Sequence, residues 1–461
     1  MIAIIDRAVK IHFVGIGGSG MSALAKIALQ AGCPVTGSDL KNSEATAALR
    51  ALGARIYRGH DAAHLEGDVA LVVYSSAVAE DNPELVEARK RKLEIISRGA
   101  YLARLMQAYE GIAVAGAHGK TTTTAMIASV LSHAGLNPTV AVGGRLVREG
   151  TNAWLGNGRY LVAEADESDG SFLLLRPKVS VVTNVENDHL DYYGGLEQLK
   201  EAFRRFIDRT DPQGLVVRCA DDPFLAGLDT GALKSVTYGW QQEALYRADL
   251  IELGGLGSKS TVYEGKEPLG TLVLAVPGRH NVTNALAAVA VGRWFGLSFE
   301  TIAAALARYA GVARRFELLG EAAGRLVVDD YAHHPTEIRA ALATARQLGR
   351  RMVVVFQPHR YTRTARLYRE FGASFDAADL VIVTEIYPAG EAPLPGVDAQ
   401  LIVEEIRRRG HPPVYYQPVA EELPAFVASL SRPGDVILTV GAGDIRQAGT
   451  QLLALYGQGG Q

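Results

Sequence analysis

The chain has 461 residues, with 47 Lys and Arg against 50 Asp and Glu and a formal net charge of −3. This near balance argues against a surface dedicated to nucleic acid or anionic membrane, and the two cysteines, Cys33 and Cys219, predict neither a disulfide framework nor a zinc site. At roughly 150 residues per domain, the length predicts three domains, and we expect a cytoplasmic protein without a signal peptide or membrane span.

Short β-branched runs alternate with Ala- and Leu-rich helical runs along the chain, which is typical of parallel α/β sheets. In chain order, the predicted strands are 11–15, 35–38, 70–75, 112–115, 160–163, 179–184, 215–218, 325–329, 352–356, 380–384 and 436–440. The section 237–277 predicts short antiparallel strands joined by glycine turns. Boundaries near 107–111 and 311–316 divide the chain into domains 1–108, 109–314 and 315–461.

The first motif is the glycine-rich run GIGGSG at 15–20, which follows the first strand and opens a helix predicted over 21–31. Asp39 ends the next strand, nineteen residues after Gly20. This pattern indicates a helix N-terminus that holds a diphosphate, with an acid placed for a ribose. An NAD-dependent oxidoreductase and a UDP-sugar-binding protein both fit it. No later segment resembles a hydride-transfer site, which disfavours the oxidoreductase.

The second motif is the run GAHGKTT at 116–122, which lies between strand 112–115 and a helix predicted over 123–133. Its backbone N–H groups can cradle phosphates, Lys120 can reach the β/γ-phosphates of ATP, and the Thr121 hydroxyl can bind Mg²⁺. The common phosphate-loop spacing would place glycine at 114, where the chain has Val114, so this loop is a shortened variant. A P-loop NTPase without an acceptor substrate is an alternative.

Two strands of the central domain run into acidic segments, EADESD at 164–169 and ENDHLD at 186–191. Ligands of open α/β sheets lie beyond the carboxyl ends of the strands. Carboxylates together with His189 therefore predict a Mg²⁺ site beside the phosphate loop, with Mn²⁺ as the other ion that suits hard oxygen ligands.

The C-terminal domain concentrates histidine and arginine after two strands, in DDYAHHPTE at 329–337 and QPHRYTRT at 357–364. Arg360 and Arg363 stand three residues apart at a predicted helix start, a spacing that suits a carboxylate or phosphate. The pair Arg314 and Arg315 could also reach phosphates. A solvated surface cluster is the alternative interpretation.

In this order, the motifs resemble the Mur ligase family of peptidoglycan precursor synthesis. The resemblance covers nearly the whole chain and includes 116–122, Glu164, 187–189, 278–281, 314–316 and 330–335. It implies an α/β protein of three domains. The N-terminal domain is Rossmann-like and binds a UDP-sugar. The central domain is P-loop NTPase-like, with a parallel sheet and a small antiparallel section, and binds ATP. The C-terminal domain is again Rossmann-like, binds the amino acid and contacts ATP.

Within the family, the segments 15–22, 74–78 and 358–364 resemble the branch that adds L-alanine. The resemblance implies an ATP-dependent ligase that joins L-alanine to the carboxylate of UDP-N-acetylmuramate through an acyl phosphate, releasing ADP and phosphate. The sibling branch, which attaches a peptide to the same UDP-sugar during cell-wall recycling, is the alternative. We expect small-molecule substrates only, no nucleic acid, and a monomer or homodimer.

The resemblance also assigns roles to individual residues. The implied catalytic residues are Lys120, His189, His333, Arg360 and Arg363. The implied ATP contacts are Gly116, Ala117, His118, Gly119, Lys120, Thr121, Thr122, Asn281, Arg315 and Asp330. The implied substrate contacts are Gly17, Gly18, Ser19, Asp39, His60, Ser75, Ser76, Arg98, Tyr331 and His359. The implied Mg²⁺ ligands are Thr121, Glu164 and His189. Several siblings carry a carbamylated lysine where this chain has Phe203, which leaves open how a second Mg²⁺ is held.

Overall fold

The computed structural model describes residues 9–186 and 190–458. Three sheets carry the fold, and the chain forms two compact units. One unit contains the first two sheets apart from the segment 251–259, and the other contains the third sheet. Within the described ranges, no helix is long and apolar enough to cross a membrane.

The first sheet has five parallel strands in the order β3-β2-β1-β4-β5. The order reverses between β1 and β4, so the carboxyl ends of these two strands open a cleft where ligands of such sheets bind. The strands are β1 Lys10–Val14, β2 Val35–Asp39, β3 Arg55–Arg58, β4 Val69–Tyr74 and β5 Glu94–Ser97. The helices are α1 Ser19–Gln30, α2 Glu44–Ala51, α3 Pro83–Lys90 and α4 Arg98–Met106.

The second sheet has ten strands in the order β15-β14-β13-β12-β11-β10-β6-β9-β7-β8, and its central pairs are parallel. The strands are β6 Glu110–Ala115, β7 Thr139–Ala141, β8 Ala153–Trp154, β9 Tyr160–Glu164, β10 Val179–Val182, β11 Leu215–Cys219, β12 Ser235–Gly239, β13 Tyr246–Gly254, β14 Gly257–Glu264 and β15 Glu267–Leu274. The helices are α5 Lys120–His133, α6 Leu190–Tyr193, α7 Leu196–Ile207, α8 Pro223–Ala226, α9 Arg279–Trp294 and α10 Phe299–Ala307.

The third sheet has six strands in the order β16-β17-β21-β18-β19-β20, all parallel except the β16–β17 pair. The strands are β16 Glu317–Ala322, β17 Arg325–Asp330, β18 Met352–Phe356, β19 Leu380–Val383, β20 Val414–Tyr416 and β21 Val436–Val440. The helices are α11 Pro335–Arg346, α12 Tyr361–Gly372, α13 Gln400–Arg409, α14 Leu423–Leu430 and α15 Arg446–Gln458.

The predicted α/β class and parallel sheets are confirmed, because every predicted strand overlaps an observed one. Helix α5 begins three residues earlier than predicted, since Gly119 at φ 82° provides the left-handed turn from which the helix starts. The strands β6, β10, β18 and β21 are largely apolar and buried along their length, as expected where both faces of a parallel sheet are covered by helices.

The first and second sheets are joined through helix α1. Lys26 Nζ donates to Thr151 Oγ1 at 2.6 Å, and the Asn152 amide donates to the Ser19 carbonyl oxygen at 3.1 Å. One helical turn beyond Lys26, Gln30 Oε1 accepts from the backbone N–H of Leu155 at 2.7 Å. These bonds attach the helix that follows the first glycine loop to the segment around β8.

A buried carboxylate, Glu84, organises the interior of the first domain. Its side chain is fully buried and accepts from Ser38 Oγ at 2.5 Å, while His64 Nδ1 lies 2.6 Å and His60 Nδ1 3.2 Å from its oxygens. His12 Nε2 faces it at 3.7 Å. Burial acts to raise the pKa of Glu84, but the polar contacts with His12, Ser38 and His64 outweigh burial and lower the pKa to about 2. His60, a predicted UDP-sugar contact, has its Nδ1 in this network.

We predict that Glu84→Gln destabilises the first domain. The pKa of Glu84 lies below its usual value of 4.5, so the charged carboxylate stabilises the fold above about pH 4.5, and this contribution is lost as the pH falls toward 2. At about 1.4 kcal/mol per pKa unit, the expected loss near pH 7 is about 3 kcal/mol. Urea unfolding at several pH values measures it, with exposed Glu80→Gln as the control. An equal loss near pH 2 and at pH 7 would contradict this assignment.

Candidate functional site

The phosphate loop lies at the carboxyl end of β6, between β9 and β10 on either side. Two positions of the loop favour glycine because their backbone φ angles are positive, 135° at Gly116 and 82° at Gly119. A Cβ atom at Gly116 would also lie 2.1 Å from Thr183 Oγ1. The loop therefore packs directly on the segment that follows β10 and leads into the N-terminus of α5, where anions bind favourably.

Two side chains beyond β10 fix the path of this loop. Thr183 Oγ1 donates to the His118 carbonyl oxygen at 2.6 Å. Asn184 accepts from the His118 backbone N–H at 2.9 Å and donates to the same carbonyl oxygen at 3.0 Å. In the sequence, Thr183 and Asn184 appear only as the end of the predicted strand 179–184. Their polar character after an otherwise apolar run was the available signal.

Lys120 is enclosed by the loop and by the acidic segment after β9. Its Nζ donates to Glu167 Oε1 at 2.8 Å and to the carbonyl oxygens of Gly116 and Ala117 at 2.5 and 3.2 Å. Burial opposes the charge on the ammonium, but the carboxylates of Glu167, Glu164 and Asp166 outweigh it and raise the pKa of Lys120.

Glu167 shares this enclosure and is only 2% exposed. Burial raises the pKa of Glu167 to about 7, although the neighbouring Lys120 ammonium acts in the opposite direction and Asp166 adds to the rise. One ammonium thus stands among three acids, and Glu167 is the acid whose charge is most strongly disfavoured. The sequence showed an acidic run here but gave no reason to separate Glu167 from its neighbours.

Hard oxygen donors meet beside Lys120, as a magnesium site requires. Thr121 Oγ1 donates to Glu164 Oε2 at 2.9 Å, and the Gly143 backbone N–H donates to the same oxygen at 2.9 Å. A hydroxyl and a carboxylate at the head of a phosphate loop suit Mg²⁺ in donor chemistry. His189, the third predicted ligand, lies outside the described residues.

The glycine-rich run 15–20 borders a cavity of about 250 Å³. Asp39 accepts from the Gly17 backbone N–H at 2.8 Å, which fixes the turn. The cavity is lined by Gly18, Ser19, Gly20, Met21, Ala23, Leu24, Ser75, Ser76, Arg98, Leu102, Ala141, Val142, Gly143, Glu164 and Asp166. Residues predicted to contact the UDP-sugar and a predicted Mg²⁺ ligand therefore share one cavity.

Three of the predicted ATP contacts, Asn281, Arg315 and Asp330, belong to the second compact unit. Asp330, at the end of β17, accepts from the backbone N–H groups of Phe316 at 2.8 Å and Ala332 at 2.7 Å. Burial raises the pKa of Asp330 to about 6 against the opposing charge of Arg315. The Arg315 guanidinium lies 5.4 Å from the Tyr331 ring centre. Asn281 donates to the Pro277 carbonyl oxygen at 2.7 Å.

The predicted amino-acid site lies at the carboxyl ends of β17 and β18. His333 and His359 face each other with ring centres 5.8 Å apart, and Arg363 Nη1 lies 3.4 Å from His359 Nδ1. Burial lowers the pKa of His333 to about 4 and that of His359 to about 3, with the arginines acting in the same direction. Near neutral pH both imidazoles are uncharged, so the positive charge of this cluster comes from its arginines.

Arg360 precedes α12 with φ 71°, a conformation that few residues other than glycine adopt. Its guanidinium lies 3.9 Å from Glu391, whose carboxylate also accepts from Thr362 at the start of the helix. Strained backbone at a helix start beside charged groups is a common feature of ligand sites.

Position 203, where siblings carry the carbamylated lysine, is part of the core. Phe203 is fully buried on α7, and its ring centre lies 5.3 Å from that of Phe172. An apolar ring in this packed environment offers no metal ligand.

Comparisons with known proteins cover all three sheets. The catalytic-domain model of the Mur ligase family matches residues 10–110, the Mur ligase middle-domain model matches 114–292, and the glutamate ligase domain model matches 314–443. UDP-N-acetylmuramate–L-alanine ligase of Pelotomaculum thermopropionicum is 52% identical over 97% of this chain and 98% of its own length. The corresponding protein of Geobacter sulfurreducens is 49% identical over 96% and 97%.

Two solved structures are also similar over the whole chain. The UDP-N-acetylmuramate–alanine ligase of Thermotoga maritima superposes with a TM-score of 0.84 at 36% identity, covering 98% of this chain and 99% of its own. A murein peptide ligase of Psychrobacter arcticus gives a TM-score of 0.72 at 27% identity, with the same coverage.

We predict that the wild-type chain loses stability relative to Glu167→Gln as the pH rises from about 5 to 8. The pKa of Glu167 in the folded chain, about 7, exceeds the usual value of 4.5, so charging this acid opposes folding progressively between these values. Chemical unfolding across this pH range measures the difference, with exposed Glu201→Gln as a control that should parallel the wild type. A difference independent of pH would show that Glu167 titrates normally.

Proposed function

The chain belongs to the Mur ligase family, and from this premise we propose that it is an ATP-dependent ligase that joins L-alanine to the carboxylate of UDP-N-acetylmuramate. The reaction would release ADP and phosphate and supply a step of peptidoglycan synthesis. The names of its 52% and 49% identical relatives support this substrate pair, since the similarity covers nearly the full length of both chains.

The observation that carries the proposal is the cavity that the glycine-rich run shares with the acidic segment at the end of β9. Its lining includes Gly18, Ser19 and Ser76 as well as Glu164 and Asp166. Glu164 also accepts a hydrogen bond from Thr121 of the phosphate loop. A sugar nucleotide held by its diphosphate at the start of α1 would extend its carboxylate toward the site of phosphoryl transfer. This juxtaposition supports a carboxylate-activating ligase over both an NAD enzyme and a simple NTPase.

The phosphate loop residues would neutralise negative charge during phosphoryl transfer. The attacking carboxylate and the γ-phosphate are both anions, so positioning and charge neutralisation dominate the barrier. Thr121 and Glu164 would hold Mg²⁺, which when bound neutralises phosphate charge. Lys120 would move from Glu167 to the phosphates and contribute a second positive charge, because its raised pKa keeps it protonated.

The arginine cluster of the second unit would bind the amino acid. Arg360 and Arg363 offer guanidinium forks suited to the alanine carboxylate. His333 and His359 are uncharged near neutral pH and would line the site beside the incoming amine, leaving the amino-acid carboxylate to the arginines. Asn281, Arg315 and Asp330 are proposed to contact ATP.

The first experiment is ADP release by the purified chain with ATP, Mg²⁺ and UDP-N-acetylmuramate, with and without L-alanine and with a tripeptide in parallel. Release that requires both the UDP-sugar and alanine supports the proposal. Release that requires the tripeptide instead would assign the chain to the sibling branch that attaches a peptide, and the similar structure from Psychrobacter arcticus is a murein peptide ligase. Release without any acceptor would indicate an NTPase.

We predict that Lys120→Ala lowers kcat/KM by on the order of 10²–10³-fold, the typical cost of removing one preorganised group that stabilises transition-state charge. The same ADP-release assay measures it. Lys178→Ala is the matched control, because Lys178 lies just before β10, at the opposite end of the sheet from the loop, and pairs with Asp211. Near-normal turnover of Lys120→Ala would refute the role of the loop.

We predict that Arg363→Ala raises the KM for alanine about tenfold or more, since hydrogen bonds to a charged group contribute about 1.5–3 kcal/mol, while the KM for ATP changes little. Arg369→Ala on the exposed part of the same helix is the control. A rise confined to the KM for ATP would move Arg363 from the amino-acid site to the nucleotide site.

A further inference from the structure

Arg98 stands at the start of α4 and is turned away from solvent, with a side chain only 15% exposed. Its Nη2 donates to Asp166 Oδ2 at 2.9 Å, to Asp169 Oδ2 at 3.2 Å and to Ser171 Oγ at 3.3 Å. A Cβ atom at Gly20 would lie 3.0 Å from Arg98 Cδ, so the same side chain packs against the glycine-rich run. Arg98 thus joins the first domain to the acidic segment of the central domain.

The acidic segment 166–171 is shaped to receive this guanidinium. Asp166 Oδ1 accepts from the Ser168 backbone N–H at 3.0 Å, and Asp169 Oδ1 accepts from the Ser171 backbone N–H at 3.0 Å. Each carboxylate therefore uses one oxygen to close a local turn and the other to bind Arg98. The arginine holds both turns together.

The backbone of α4 supports the same contact. A Cβ atom at Gly99 would lie 2.3 Å from Ser171 Cβ, so glycine allows the segment to pack directly against the helix. This packing does not depend on the Arg98 side chain. A variant that lacks the guanidinium should therefore keep the two domains in contact while loosening the two turns.

Glu167 lies within the first of these turns and accepts from Lys120 Nζ at 2.8 Å. The Glu167 carbonyl oxygen in turn accepts from the Tyr193 hydroxyl at 2.5 Å. The position of Glu167, and through it that of Lys120, is consequently set by the geometry of 166–171. From outside the central domain, the Arg98 guanidinium contacts both turns of this segment.

We propose that Arg98 is a positioning residue that acts through the segment 166–171 on Lys120, and that it is not a direct ligand of the sugar nucleotide. This inference builds on the proposed function and differs from the family resemblance, which implies that Arg98 contacts the substrate. It connects the domain that would bind the UDP-sugar to the residue that would neutralise the transferred phosphate. The binding of ADP and of the UDP-sugar can be tested separately.

The test measures binding of ADP with Mg²⁺ to the full chain by calorimetry, without any UDP-sugar, and binding of UDP-N-acetylmuramate in a second titration. For Arg98→Met we expect ADP affinity to fall about tenfold, since a displaced Lys120 would lose a charged hydrogen bond to the phosphates. UDP-N-acetylmuramate affinity should stay within about twofold, because the guanidinium already donates to Asp166, Asp169 and Ser171. Arg98→Lys should recover part of the ADP affinity.

Arg104→Met is the matched control, because Arg104 lies on the same helix, is half exposed and pairs with Glu94. If Arg98→Met unfolds, Asp169→Asn weakens the same contact from the other side and should reproduce the loss of ADP affinity. Loss of UDP-sugar affinity with intact ADP binding would overturn the proposal, as would unchanged binding of both. Neither titration depends on which amine the enzyme joins to the UDP-sugar. Failure of the proposed function would therefore appear in a different experiment, the ADP-release assay, as release that does not require alanine.

Discussion

The placement of one ammonium group among three acids is the constraint on which the candidate site depends. Lys120 lies against Glu167, with Glu164 and Asp166 close enough to raise its pKa. The excess acid charge keeps the lysine protonated, and a buried carboxylate with a raised pKa accompanies it. In the protein alone, the three acids outnumber the single ammonium group. A bound phosphate and a divalent cation would change this balance of charge, so the arrangement is suited to binding both.

The parallel sheet explains how residues distant in sequence reach this point. Strand β6 carries the phosphate loop, β9 ends in Glu164, and β10 is followed by Thr183 and Asn184. Since β6 pairs with both neighbours in parallel, all three carboxyl ends lie along the same edge. The same principle places the histidines and arginines of the third sheet beyond β17 and β18.

Much of the fold and part of the candidate site could be predicted from the sequence, because glycine turns and β-branched runs depend directly on backbone geometry. The strands, the phosphate loop and the acid after β9 follow from such patterns, and family resemblance supplied the domain order. The role of Glu84 could not be predicted, since its importance depends on three histidines that approach it from other segments. The contacts of Arg98 could not be predicted either. Only the folded chain shows that its guanidinium donates hydrogen bonds to Asp166 and Asp169.

The backbone of Arg360 carries a further consequence. At φ 71°, glycine would be the less strained residue, whereas the proposed contact with the amino-acid carboxylate needs the guanidinium. Under the proposed function, stability and ligand binding therefore favour different residues at this position. In a library of variants selected only for thermal resistance, position 360 should drift toward glycine, and the most heat-tolerant members would be those that had lost affinity for the amino acid.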